Sequence, residues 1–362
     1  MTATASRPPA RAPRIDVVVP DLFDIGGGIS RISRALVMAV STWAAHHEGD
    51  VRVHALRDRG GRRDPRYLPP PAEYRGYAAD RRRLSMAIVA RAWRRPGLTI
   101  FGHTHLAALS VGMPSWSKVA VVAHGKEVWD TLRLDRRLGL RRADEVWPVS
   151  RMTAESLVAV HGVRRERIHL MLNALDPFWP LPEHPQPGMK HLLMVARLNP
   201  GDRYKGIDLT LRALARLPAG RRPRLVVVGE GEDRPRLEII ARDLALDVAF
   251  AGGVDDEQLQ RLYADALGFV LPSTGEGFGL VYLEAMANAL PVIAARAGGA
   301  PEVVEHGVTG LLIAPGDEVG LAKAIDALDP EMGRVGRARL EREFLYPRYA
   351  ADVAQALDRL LG

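Results

Sequence analysis

The sequence predicts an α/β protein built from two doubly wound parallel-sheet units. Three observations carry this. Short apolar runs rich in Val, Ile and Leu alternate with amphipathic helical patterns, the alternation halts at a proline-rich stretch in mid-chain, and it then begins again. A chain of 362 residues has the length for two domains at roughly 150 residues each. Its 47% apolar content is that of a chain that buries real cores.

In the first unit, residues 15–19 read as a strand, followed by a Gly turn and an amphipathic helix over about 29–45. Further strands are expected at 51–55, 98–101, 119–122 and 146–149, then a helix at 152–160 and one more strand at 168–172. The stretch 177–188 holds five prolines, at 177, 180, 182, 185 and 187. So many residues without an N–H exclude a helix or a central strand, and the stretch reads as the linker.

The second unit repeats the rhythm. Strands are expected at 192–196, 225–228, 248–251, 269–271, 291–294 and 310–313. Helices are expected at 207–215, 233–244, 256–264 and 280–289, and from 318 onward. The division is therefore a lead-in at 1–14, a first unit at 15–178, a second at 179–345, and a C-terminal helix over about 346–362 that rejoins the first unit. In such sheets ligands sit beyond the C-terminal ends of the strands, here in a cleft between the units.

Composition narrows the chemistry. The chain has no cysteine, which excludes disulfides, thiolate zinc and cysteine nucleophiles and fits a reducing, cytoplasmic setting. No apolar run reaches the roughly 18 residues of a membrane span. The lead-in, rich in Ala, Pro and Arg, lacks the apolar stretch of a signal peptide and reads as disordered. Charge is unevenly placed. Residues 1–180 carry 29 Lys and Arg against 17 Asp and Glu, and residues 181–362 carry 21 against 26, giving nets of +12 and −5. A basic half points to an anionic partner, either nucleic acid or an acidic membrane leaflet.

The segment Pro272-Ser-Thr-Gly-Glu-Gly-Phe-Gly-Leu-Val-Tyr-Leu-Glu284 is the most informative. A strand ends, a glycine-rich loop follows, and a helix opens near Gly279. The free N–H groups of Gly279, Leu280 and Val281 make an anion site there. Glu276 and Glu284 beside an anion call for hydroxyl donors, one a sugar and the other a ribose. After the first strand of the same unit, Arg197 and Lys205 reach the same region, a fork and a point charge suited to a diphosphate. No Asp-x-Asp pair occurs in the chain, so cations and dipoles of the protein, with no metal and no cofactor, are expected to balance a leaving diphosphate. His103 and His105 lack a third ligand and are not read as a metal site. Val228-Gly-Glu-Gly lacks the third glycine of a nicotinamide fingerprint.

These motifs resemble family 4 retaining glycosyltransferases, of the GT-B fold with two Rossmann-like domains. The resemblance rests on Glu276 and Glu284 with seven residues between them, Arg197 with Lys205-Gly206, Gly298-Gly-Ala-Pro-Glu302, Asn173-Ala-Leu-Asp176 and Gly26-Gly-Gly28. It covers roughly residues 14–345 and is looser in the first half.

The resemblance assigns the donor-sugar hydroxyls to Glu276, the ribose to Glu284, and the diphosphate to Arg197 and Lys205. Phe278, Gly279, Leu280 and Val281 match the loop that holds sugar and phosphate, and Gly27 and Gly28 match a first-domain loop near the diphosphate. His124 matches a histidine facing the anomeric carbon, while Gly253 and Val254 match the nucleobase loop. The activity so implied is metal-independent, retaining transfer from a nucleoside diphosphate sugar, with a lean to GDP-mannose over UDP-sugars. The acceptor implied is a saccharide or lipid-linked saccharide in bacterial polysaccharide synthesis.

Two other readings compete. A sugar-nucleotide epimerase shares the architecture, but the Arg197, Lys205, Glu276 and Glu284 set favours transfer. A nucleic-acid binder would use the basic half, yet no helix-turn-helix, RNA-recognition or zinc signature is present, so no nucleic acid is expected. The segment 81–95 places Leu84, Ile88 and Ala92 on one helical stripe among six arginines. That pattern suits either peripheral contact with an anionic membrane or a helix packed on its own sheet. Arg133, Arg136, Arg137, Arg141 and Arg142 form a second basic stretch.

Overall fold

The computed structural model describes residues 12–61, 63–95, 97–185 and 188–362. Residues 1–11 of the expected lead-in, and Pro187 of the proline stretch, lie outside the described residues. The chain divides into two compact units. The first runs up to Pro148 and adds Ser156–Met171 and Tyr349–Gly362, and the second comprises Val149–Glu155 and Leu172–Arg348.

The first sheet has strands β1 (Arg14–Val19), β2 (Asp50–Ala55), β3 (Ala72–Gly76), β4 (Leu98–Phe101), β5 (Lys118–Ala123) and β6 (Glu145–Pro148). They are parallel, in the order β3-β2-β1-β4-β5-β6. The second has β7 (His191–Val195), β8 (Leu225–Val228), β9 (Val248–Gly252), β10 (Ala266–Leu271), β11 (Val292–Ala295) and β12 (Gly310–Ile313). Its order, β12-β11-β10-β7-β8-β9, is the same arrangement again. In each sheet the first strand lies centrally beside the fourth, and the chain winds outward on both sides. Both faces of the central strands are covered, so β1, β4, β8 and β11 are buried along their whole length.

Four elements depart from the sequence reading. β3 is an additional edge strand, Ala-Glu-Tyr-Arg-Gly, half exposed and without the apolar run that marks a buried strand. The helix Leu134–Arg142 stands where the sequence shows only a basic stretch, because five of its nine residues are charged. Residues 168–172 do not form a strand. His169 and Met171 donate to the Val146 and Pro148 carbonyls at 3.0 and 2.9 Å, but Pro148 has no N–H to return, and only the Val146–Ile168 bridge forms. In the proline stretch, Trp179 is buried with its ring edge-on to Tyr263 at 5.9 Å, so this segment packs with the second unit.

In the helix Arg81–Arg94 the apolar stripe packs on its own sheet. Leu84, Ile88 and Ala92 are its inward stripe, each 1% exposed in the first unit's core. Arg91 ties it to the sheet through Asp16 at 2.7 Å and Asp50 at 2.6 Å. The stripe that suited a membrane is thus the packing face. The C-terminal helix Tyr346–Leu361 buries Tyr349, Val353, Ala356 and Leu357. Trp43 donates its indole N–H to Asp358 at 2.8 Å, and Arg359 bonds Glu145 at 3.0 Å.

Gly139, in the helix Leu134–Arg142, crosses the turn Thr104–Gly112 so closely that an added Cβ would lie 2.1 Å from the Ala107 carbonyl oxygen. The neighbour is backbone and cannot swing aside. Gly139→Ala is therefore expected to cost about 1–3 kcal/mol. Calorimetry should show the melting temperature lowered by several degrees.

Candidate functional site

β7 and β10 are neighbours whose chains leave in opposite directions, the place where open parallel sheets hold ligands. The loops that follow them are packed backbone to backbone. Thr274 donates its N–H to the Tyr204 carbonyl at 2.9 Å. Gly206, at φ +80, lies so near Pro272 that a Cβ would meet its carbonyl oxygen at 2.8 Å, and one on Gly275 would strike the Tyr204 ring at 2.5 Å. The loop after β11 closes the third side. Gly299 donates to the Glu276 carbonyl at 2.7 Å, and a Cβ there would lie 2.1 Å from the Gly277 oxygen.

This packing brings Lys205 and Glu276 into an ion pair with 15% and 12% of their side chains exposed. The Lys205 ammonium also lies 5.3 Å from the centre of the Tyr204 ring. Gly279, at φ +95, turns the chain into the helix Leu280–Ala287. The first turn of a helix leaves its N–H groups without partners inside the helix and carries the positive end of the dipole. One cation, one carboxylate and a helix start are thus held together on rigid backbone. An anion with hydroxyls beside it matches all three.

Other residues singled out by sequence take different places. Arg197 bonds Asp202 at 3.1 Å with its side chain 70% exposed, so it is not joined to the Lys205–Glu276 pair. Glu284 is buried and accepts the Tyr263 hydroxyl at 2.9 Å. Phe278 puts its ring into the core against Phe344, at 5.9 Å, leaving its backbone to the loop. Leu280 and Val281 are half-buried at the helix start. The Gly253 N–H is given to Glu230 at 3.2 Å, and Val254 beside it is partly exposed. The Glu302 carboxylate holds the Arg151 N–H at 2.7 Å and its guanidinium at 3.2 Å.

In the first unit, Gly26 and Gly27 adopt φ +78 and +94 with open space where a Cβ would be, and Gly28 begins the helix Gly28–His46. Asp58, fully buried, fixes the approach to this loop by accepting from the N–H groups of Leu22 and Phe23 at 3.0 and 3.1 Å and from the Tyr74 hydroxyl at 2.7 Å. Asp21 is bonded by the Ser30 hydroxyl, and burial pushes its carboxyl above the usual range.

His124 follows β5. Its Nε2 lies 2.7 Å from the Gly102 carbonyl, which can only accept, so Nε2 carries the proton. Its own N–H goes to Glu127 at 2.6 Å. Its ring stands 5.5 Å from that of His103, which is 4.5 Å from that of His105. Among the described residues no group of three or more His, Asp or Glu is placed to hold a metal ion.

Sequence spacing could not reveal Tyr204, Tyr263, Asp58 or the His103 environment, because each acts through a partner distant in the chain. His103 gives a checkable consequence. Burial, then the neighbouring His124 and His105, push its pKa from 6.5 down to about 2. The unfolded chain thus takes up a proton below pH 6.5 that the folded chain refuses, and stability is lost as pH falls. Denaturant melts across this range should show wild type losing about 1.4 kcal/mol per pH unit more than His103→Gln.

Comparison with known proteins agrees with this geometry. Residues 189–329 match the family described as Glycosyl transferases group 1. A GDP-mannose-dependent alpha-(1-6)-phosphatidylinositol monomannoside mannosyltransferase of Mycolicibacterium smegmatis is 34% identical over 254 residues, 61% of this chain and 64% of that protein. An uncharacterized glycosyltransferase of Methanocaldococcus jannaschii is 28% identical over 224 residues, 58% of this chain and 57% of that protein. The matched segments thus span less than two thirds of these relatives. The structure of HepE from Anabaena with UDP and glucose superposes with a TM-score of 0.74 at 20% identity, over 95% of this chain and 99% of that one, and shows the fold. With sheet order, loop packing and matched segment in agreement, this chain has the GT-B fold, and residues 189–329 of its second unit are similar to the glycosyl transferases group 1 family.

Proposed function

We propose that this chain is a retaining, metal-independent glycosyltransferase acting on a nucleoside diphosphate sugar and a saccharide or lipid-linked saccharide acceptor. The Lys205–Glu276 pair, shielded from water at the start of the helix Leu280–Ala287, carries this reading. The donor diphosphate takes the helix start and Lys205, while Glu276 turns to the hydroxyls of the sugar. Glu284, steadied by Tyr263, takes the ribose. Arg197 exchanges Asp202 for phosphate, an exposed pair that is weakly held.

Charge develops on the diphosphate as its bond to the anomeric carbon breaks. Lys205 and the helix N–H groups stand on rigid backbone beside it, and Arg197 adds its charge once it has left Asp202, so that charge is met by groups in place before the bond breaks. The acceptor hydroxyl attacks from the same face. Its oxygen bonds the anomeric carbon, the electron pair of the breaking bond stays on the diphosphate, and a diphosphate oxygen receives the proton. GDP-mannose is favoured as donor by the M. smegmatis relative, whose name specifies it, and UDP-sugars are the alternative suggested by the HepE complex.

The test follows release of the nucleoside diphosphate from GDP-mannose and UDP-glucose, in chelator, with a saccharide acceptor. Lys205→Ala loses a charged hydrogen bond to the diphosphate, worth about 1.5–3 kcal/mol, so nucleotide affinity should fall about 10- to 100-fold. Glu276→Gln should bind the bare nucleotide as tightly as wild type or tighter, because a carboxylate beside the phosphates is gone, yet lose most turnover. Near-normal turnover by Glu276→Gln, or activity that needs added metal, contradicts the proposal.

A further inference from the structure

The outward side of the helix Arg81–Arg94 carries what its packing face does not. Met86 is 64% exposed and Trp93 is 56% exposed. Beside them Val111 is 54% and Trp116 is 51% exposed. The two indoles meet edge to face at 5.4 Å, and Trp93 donates its N–H to the Gly112 carbonyl at 3.1 Å. This fixes the helix, the end of the turn Thr104–Gly112 and the loop 113–117 as one continuous surface. Arg82, Arg83 and Arg94 frame it, and they make no ion pair with another described residue.

Two features of this surface are costly without a partner. Large apolar side chains clustered in water mark a contact surface. Three arginines in the first turn of a helix, with no acid among them, also stand at the positive end of its dipole, where anions are favoured; only the Asp80 cap offsets them. An anionic layer over an apolar interior relieves both. Indoles settle at the level of lipid headgroups, and arginines reach their phosphates.

We propose that this face of the first unit docks on an anionic lipid bilayer, with Trp93, Trp116 and Met86 entering the headgroup layer and Arg82, Arg83 and Arg94 pairing with lipid phosphates. The inference does not rest on the donor site. Single-stranded nucleic acid also stacks on indoles, but Met86 and Val111 offer it nothing, and the apolar content favours lipid.

Co-sedimentation of the full chain with vesicles tests this. Phosphatidylcholine vesicles should retain little protein. Vesicles containing phosphatidylglycerol should bind it, less so as salt rises. The triple variant Arg82→Gln, Arg83→Gln, Arg94→Gln should lose about fivefold in partitioning per arginine. Trp93→Ser with Trp116→Ser should lose at least tenfold at unchanged charge and an unchanged melting temperature. If that pair lowers the melting temperature, Met86→Ser serves instead, and its partitioning should fall severalfold. Equal binding to both vesicle types, wild-type partitioning of the arginine variant or of the apolar variant, or preference for single-stranded DNA over anionic vesicles, overturns the proposal. Nucleotide affinity measured without vesicles keeps this outcome separate from that of the donor site.

Discussion

The candidate site depends on the close approach of three backbone loops at the C-terminal edge of the second sheet. Gly206, Gly275 and Gly299 have no room for a side chain, and hydrogen bonds join Thr274 to Tyr204 and Gly299 to Glu276. Because the loops cannot drift, the ammonium of Lys205 and the carboxylate of Glu276 are held together where water is scarce. Such a pair repays its desolvation only with good geometry and further bonds. Its value lies in being poised, a cation and an acceptor kept in place before any ligand arrives.

Much of this was legible in sequence, for a physical reason. Parallel strands buried on both faces read as continuous apolar runs, so β1, β4, β8 and β11 stand out. β3 did not, because an exposed edge strand needs no such run. Residues 168–172 have the composition of a strand and fail as one because Pro148 cannot return a hydrogen bond. The helix Leu134–Arg142 was hidden by its arginines and is held by tertiary contact at Gly139.

The site was legible as segments but not as pairs. Spacing gave the loop, the helix start and the charged residues near them. It could not tell that Lys205 would choose Glu276 while Arg197 chose Asp202, nor that Glu284 would be buried under the Tyr263 hydroxyl. Those choices are made by which strands lie side by side. The helix Arg81–Arg94 teaches the same lesson in reverse. Its apolar stripe was visible, but the partners of that stripe were not: Leu84, Ile88 and Ala92 enter the first unit's core, and Arg91 beside them reaches Asp16 and Asp50.

We propose a preformed diphosphate site in the second unit that needs no metal. A thermal-shift titration with UDP, GDP, ADP and TDP in excess chelator addresses it most directly. One nucleotide, at 100 times its dissociation constant, is expected to stabilise the protein by about 2.7 kcal/mol, several degrees in melting temperature. Absence of any shift, or a shift that appears only when a divalent metal replaces the chelator, would contradict it.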